Sequence, residues 1–222
     1  MDSAVHIAMS EMADGSMSAA VTADERLANR RRFLEANGVT AGQTVLVRLR
    51  YEGDDYRRYF SVGVETAGDG IMTPSTVTAD ALFTQDRNLA LLLPIADCIA
   101  AVLYDPILGA LGLAHLGRHN LLQDGGAGIV AYMSDDFGSK PSDIRVWLSP
   151  AAGRGNYPLF DFDNRSLHEV ALEQLLAAGI TAANVITDPR DTTLDERLFS
   201  HSEYLKGKRV SDGRQAVMAV LR

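Results

Sequence analysis

Apolar residues along this chain gather in short runs set between turn residues. The runs 79-ADALFT-84, 89-LALLLPI-95, 98-CIAAVLYD-105 and 110-ALGLAHL-116 follow one another closely, broken by QDRN, Pro94 or DPILG. Each is too short for a buried helix and is bounded by turn formers, so together they predict the core of a sheet. Further strands are expected at 4–9, 44–51, 59–65, 144–149, 184–187 and 215–222, with EGDD as the turn after 44–51. Helical spacing appears at 24–37, where Leu27, Phe33 and Leu34 stand among charges and Gly38 supplies the stop. A second helix is expected over 119–134, whose Gly125, Gly126 and Gly128 permit close backbone approach to a sheet. The clearest helix is 166–179, with Leu167, Val170, Ala171 and Leu175 on one face and Gly179 as its stop. Segment 194–207 reads as helix or loop. Strands neighbouring one another, with helices between, predict an α+β or mixed α/β fold in a single domain spanning 1–222.

Composition narrows the class. At 222 residues, 46% hydrophobic and 23% charged, the chain is long enough to bury a core and ordinary for a globular protein. No apolar run approaches the ~20 residues that span a bilayer, and MDSAVHIAMSEMADG lacks the basic, then greasy, then small-residue order of a signal peptide. A single cysteine forms no internal disulfide, so a reducing, cytoplasmic setting is expected. A formal charge of −8 argues against a general nucleic-acid binder. The one basic run, 30-RRR-32, sits on a predicted helix and reads as a solvated face.

The chemistry concentrates in 96-ADCIAAVLYDPILGALGLAHLGRHN-120, which holds the only cysteine, Cys98, and two of the five histidines, His115 and His119. Cys98 opens one strand and His115 closes the next, so neighbouring strand ends could bring thiol and imidazole together. Sulfur with imidazole suits zinc, and a catalytic zinc uses three protein ligands and one open position. His119 lies four residues after His115 and would share its face if that turn is helical. The bland alternative is a buried, inert thiol.

Ordered motifs extend this. The series 79-ADALFT-84, 96-ADC-98, 104-YDP-106 and 110-ALGLAHLG-117 resembles the laccase-domain family (YfiH/YlmD-like, the polyphenol oxidase group). The likeness continues in 29-NRRRFLEANGV-39, 143-DIRVWLSPAAG-153, 199-FSHSE-203 and 213-GRQAVMAVL-221. It implies a layered αββα sandwich, one zinc held by two histidines and a cysteine, and action on purine nucleosides: phosphorolysis of adenosine or inosine, or deamination of adenosine. It places Cys98 and His115 on two of the three zinc ligands. It also implies a nucleoside and phosphate as small-molecule partners, with Arg118 holding an oxyanion through its planar fork. A lone His/Cys cluster offers no multicopper assembly. The chain departs from the pattern where the family has a histidine before glycine: here Glu52 precedes Gly53, so the third ligand falls to Glu52 or to His119. The tryptophan of the family's motif after His115 is missing, and the arginine is displaced to Arg118. Two other readings keep the fold: a cysteine hydrolase with Cys98 as nucleophile and His115 as base, and an inactive member that binds a nucleoside or a protein.

Overall fold

The structure is a computed structural model that describes residues 4–222. Two mixed sheets lie face to face. The smaller has strands β1 (Val5–Met9), β10 (Gln215–Leu221), β5 (Ala90–Ile95) and β2 (Thr44–Leu46) in that order. The larger runs β3 (Tyr59–Ser61), β4 (Ala81–Thr84), β7 (Ala110–Leu116), β6 (Ile99–Asp105), β8 (Arg145–Leu148) and β9 (Val185–Thr187). Helix α1 (Ala23–Ala36) covers the outside of the smaller sheet, where Phe33 and Leu34 pack on Ala90, Leu92, Met218 and Val220. The larger sheet's outer face is covered by α3 (Gly125–Phe137) and α4 (Leu167–Ala177), through Ile129, Met133, Val170 and Leu175 against Phe83, Ile99, Ala101 and Leu103. Between the sheets lie Leu91, Leu93 and Val217 from one and Leu82, Val102 and Leu113 from the other. Two sheet faces and two helical layers must each be apolar on the contact side. This is why β5, β6, β7 and β10 read as unbroken apolar runs instead of alternating ones. The layering is the αββα sandwich expected from the family likeness.

Several boundaries differ from the sequence reading, each for a local reason. The strand expected over 44–51 pairs only through Leu46, although Val47 still donates to the Leu92 carbonyl at 2.8 Å. The 59–65 strand ends at Ser61 and turns into a 3₁₀ turn at Val64–Thr66. The helix expected over 119–134 is two helices, α2 (Arg118–Leu122) and α3, because Asp124 between them takes a left-handed backbone with φ 54°. Segment 194–207 is mostly loop and closes with the short α5 (His201–Leu205). The basic run also divides: Arg31 and Arg32 are exposed, but Arg30 is buried at 8% exposure instead of solvated. Among the described residues, no helix is long and apolar enough to cross a membrane.

Candidate functional site

Strands β6 and β7 form an antiparallel hairpin around 105-DPILG-109. Asp105 accepts from the backbone N–H of Ile107 at 2.8 Å and Leu108 at 3.1 Å, and Gly109 takes φ 65°. The register pairs Ile99 with Leu116 and Ala100 with His115. The residue before β6, Cys98, therefore lies opposite the residue after β7, Gly117. Side chains alternate across a strand, so Cys98 and His115 share the face of Ala100 and Leu113, which belong to the intersheet core. Asp80, just before β4, lies beside His115, whose N–H donates to the Asp80 carbonyl at 2.8 Å. From the other sheet, Ala96 follows β5 and Arg214 precedes β10. The end of the intersheet layer is thus left open and lined by polar groups.

The result is a cavity of about 550 Å³ lined by Cys98, His115, Asp80, Arg118, His119 and Asn120, among others. A Cβ placed on Gly117 would stand 2.9 Å from the Cys98 sulfur and 3.2 Å from His115 Nε2, so the two atoms lie within about 6 Å of each other. Only a residue without a side chain lets them approach from both sides of this turn. His115 is buried at 6% exposure, whereas Cys98 is half-buried. Burial pushes the thiol up to about 12, with the neighbouring Asp97 carboxylate adding to the effect. Burial likewise pulls His115 down to about 4, against the pull of Asp80 and a hydrogen bond that the imidazole donates to Asn120. Both groups are therefore neutral at pH 7.

Asp97 fixes the approach to Cys98. It is a buried non-glycine residue at φ 70°, a conformation kept only where the surroundings impose it. Its carboxylate accepts from the Thr192 hydroxyl at 2.8 Å and from the Ser202 N–H at 2.7 Å, and its carbonyl accepts from Ala152 N–H at 2.8 Å. Three remote segments meet on this one residue. Across the cavity, Asn120 does the same for the start of α2. Its Oδ1 accepts from Gly117 N–H at 3.1 Å, and its Nδ2 donates to the Tyr56 carbonyl at 2.8 Å.

A third wall is the segment 50–58. Arg58 grips the 2%-exposed Asp80 with a bidentate pair, Nε to Oδ2 at 2.8 Å and Nη2 to Oδ1 at 3.0 Å, and Nη2 also donates to the Arg50 carbonyl. Tyr56 stacks on His119 with ring centroids 4.7 Å apart, and its hydroxyl donates to the Tyr51 carbonyl at 2.9 Å. Tyr51 meets His115 edge-on at 6.3 Å.

Of the residues expected at a site, the structure brings together Cys98, His115, His119 and Arg118 around one cavity. Glu52 is not among its lining residues: its side chain is 83% exposed and pairs with Arg50 at 3.4 Å. The ring of His119 stacks on Tyr56. Among the described residues, no set of three or more histidine, cysteine, aspartate or glutamate side chains is disposed to hold a metal ion. The donor set thus offers a thiol and an imidazole without the third ligand that a catalytic zinc requires. His201 lines the cavity and its Nδ1 meets Asp212 at 3.0 Å, while His6 and His168 lie outside it. Residues not anticipated from sequence are Asp80, Asn120, Tyr51, Tyr56 and Tyr157. Asp80 alone carried a signal, inside 79-ADA-81.

Comparison with known proteins agrees with this architecture. The family described as multi-copper polyphenol oxidoreductase laccase matches residues 16–166. A purine nucleoside phosphorylase of Corynebacterium glutamicum is 28% identical over 193 residues, 78% of this chain and 74% of that protein. The purine nucleoside phosphorylase YlmD of Bacillus subtilis is 30% identical over 103 residues, 46% of this chain and 37% of its own length. YlmD from Geobacillus stearothermophilus superimposes at a TM-score of 0.87 over 99% of this chain and 93% of that one, at 22% identity. YfiH from Bacillus licheniformis does so at 0.86 over 98% and 93%, at 21% identity. These two structures share the fold. With most of its length inside the family pattern, the Cys98–His115 hairpin included, this protein belongs to the multi-copper polyphenol oxidoreductase laccase family.

Proposed function

We propose that this protein phosphorolyses a purine nucleoside, adenosine or inosine, in the Cys98–His115 cavity. The observation that carries this reading is the make-up of one concavity: Tyr51, Tyr56 and Tyr157 bring aromatic rings, Arg50, Arg118 and Arg214 bring guanidinium groups, and the neutral Cys98, His115 and Asn120 line the same hollow. A purine is flat and stacks on aromatic rings, while phosphate suits the planar donor fork of arginine. The volume of about 550 Å³ lies inside the ~300–1,000 Å³ range of small-molecule sites. The names of the Corynebacterium and Bacillus relatives point to the same reaction.

In that reaction a phosphate oxygen bonds to ribose C1′ as the bond from C1′ to the purine nitrogen breaks. The electron pair leaves with the base, which takes up a proton, and ribose 1-phosphate is the second product. Arg118 holds the phosphate. His115 and Cys98, both uncharged, position the nucleoside by hydrogen bonds without placing a net charge beside the ring. Zinc would receive a sulfur and a nitrogen here and would need its third donor from elsewhere, so no step runs through it. A cysteine hydrolase fits less well. Its dyad needs an accessible thiolate, and burial drives this thiol and this imidazole away from ionising.

The test is product analysis of adenosine and inosine with and without phosphate, and with and without added zinc. Free base with ribose 1-phosphate, formed only when phosphate is present, is the expected outcome. Inosine formed from adenosine without phosphate would identify a deaminase. Rapid alkylation of Cys98 by iodoacetamide would identify a hydrolase. Thermal stabilisation by a nucleoside without any product would identify a binding protein.

A further inference from the structure

Beside the first cavity, and sharing Leu49, Tyr51 and Arg214 with it, lies a second and larger one of about 1040 Å³. Its floor is α1 and the loop before it. Four guanidinium groups line it, from Arg26, Arg30, Arg48 and Arg214, against two carboxylates, Asp24 and Asp212. Asp212 is already engaged by Arg214 at 2.8 Å and His201 at 3.0 Å. On a chain of net charge −8, this concentration of positive charge in a hollow runs against the average surface.

Arg30 is the informative member. It is 92% buried, and it spends its donors on carbonyls: Nε and Nη2 on Met17 at 3.0 and 2.8 Å, and Nη1 on Gly70 at 3.3 Å. Among the described residues no carboxylate forms an ion pair with Arg30, Arg26 or Arg48. Arg26 stands close enough to Arg30 for the two charges to oppose each other. Buried charge is ordinarily paired, and carbonyl dipoles orient a guanidinium without cancelling its charge. Among the described residues the Arg48 guanidinium donates only to the Ser75 carbonyl, at 3.5 Å. A cluster of like charges, none of them ion-paired, at the edge of a roomy cavity is the arrangement that attracts and holds an anion.

We propose that this second cavity binds the phosphate or diphosphate group of a small molecule through Arg26 and Arg48, with the fixed charge of Arg30 beside them. The group arrives either free or on a nucleoside whose base reaches the neighbouring cavity past Tyr51. Binding here does not depend on the reaction proposed for the first cavity.

The experiment is calorimetric titration of the full chain with inorganic pyrophosphate and, separately, with adenosine 5′-monophosphate and adenosine. The proteins are the wild type, Arg26→Gln, Arg48→Gln and the double variant. Among the described residues the Arg26 side chain donates no hydrogen bond and the Arg48 side chain donates only the long one to Ser75, so these variants keep the structure, while Arg30 is left in place as a pin. The expected result is binding of one or both phosphorylated ligands that weakens with salt, with affinity lowered at least tenfold in the double variant and adenosine affinity unchanged. Pyrophosphate binding alone identifies a free anion site, and binding of the monophosphate alone identifies a nucleotide spanning both cavities. No binding of either ligand at millimolar concentration, or equal affinity in the wild type and the double variant, overturns the proposal. Adenosine titrates the first cavity in the same series, so failure of one site is distinguishable from failure of the other.

Discussion

The two long walls of the Cys98–His115 cavity are built in opposite ways. One is the β6–β7 hairpin, in which every residue of both strands is buried and the positions of Cys98 and His115 follow from backbone register. The other is segment 50–58, largely exposed, whose Tyr51 and Tyr56 are placed by side-chain contacts to Asp80, Asn120 and His119. A register-built wall cannot yield, because shifting one residue would carry a whole strand face with it. A contact-built wall yields when one contact is removed. The candidate site residues Cys98 and His115 sit on the first, and Tyr51 and Tyr56 sit on the second.

The largest effect is expected from breaking the second wall at its anchor. Asp80→Ala leaves the 15%-exposed Arg58 guanidinium without its bidentate partner. It should cost about 3 kcal/mol of unfolding free energy in urea titration, and segment 50–58 should become the first site of limited proteolysis. Loss of stability without new cleavage there would show that the segment is held otherwise. Next comes the rigid wall. In Gly117→Ala the new Cβ would meet the Cys98 sulfur and the His115 ring at 2.9 Å each. Backbone register leaves little room to move, so nucleoside turnover should fall tenfold or more, ~1.4 kcal/mol in the barrier, with the circular dichroism spectrum kept. Unchanged turnover would mean that the pair need not stay in place.

A smaller change is expected from Tyr56→Phe, which removes the hydroxyl bond to the Tyr51 carbonyl while keeping the stack on His119. One such bond is worth ~1 kcal/mol. It should appear in KM for the nucleoside more than in kcat, and the reverse split would place Tyr56 in the chemical step.

The smallest effect concerns the support behind the hairpin. His168 donates Nε2–H to the Ser149 carbonyl at 2.8 Å, and Ser149 in turn exchanges hydrogen bonds with Ala100 of β6. Burial lowers the His168 pKa below its ordinary 6.5. Below pH 6.5 the unfolded chain therefore binds a proton that the native chain resists, so stability is full above that pH and falls as pH drops through it. His168→Gln should flatten this part of the stability-versus-pH curve, as read by thermal melts from pH 5 to 8. An unchanged slope would assign it to other groups.

The same contrast explains what could be read from sequence. The hairpin was legible because Asp105-Pro106 and Gly109 punctuate two apolar runs, and strand pairing then sets Cys98 opposite Gly117. That β5, β6, β7 and β10 belong to sheet cores was legible because they are apolar on both faces, while the four-layer order followed from the family resemblance. Segment 50–58 was not. Its course depends on Arg58 finding Asp80, a contact between residues 22 apart in sequence with no local signal. For that reason Glu52 could be placed at a ligand's position in the motif and still stand in solvent. The break between α2 and α3 turns on the left-handed Asp124, for which the sequence offered only the following Gly125-Gly126. Arg30 was read with its exposed neighbours because a three-residue basic run does not reveal which member faces the sheet.

The most direct measurement is the rate of phosphate-dependent base release from adenosine and inosine by the wild type and by His115→Ala, each checked for native melting behaviour. Release that requires phosphate and falls at least a hundredfold in the variant is the predicted result. A well-folded wild type that releases no base with phosphate present, or a His115→Ala variant as active as the parent, would contradict the assignment of this cavity.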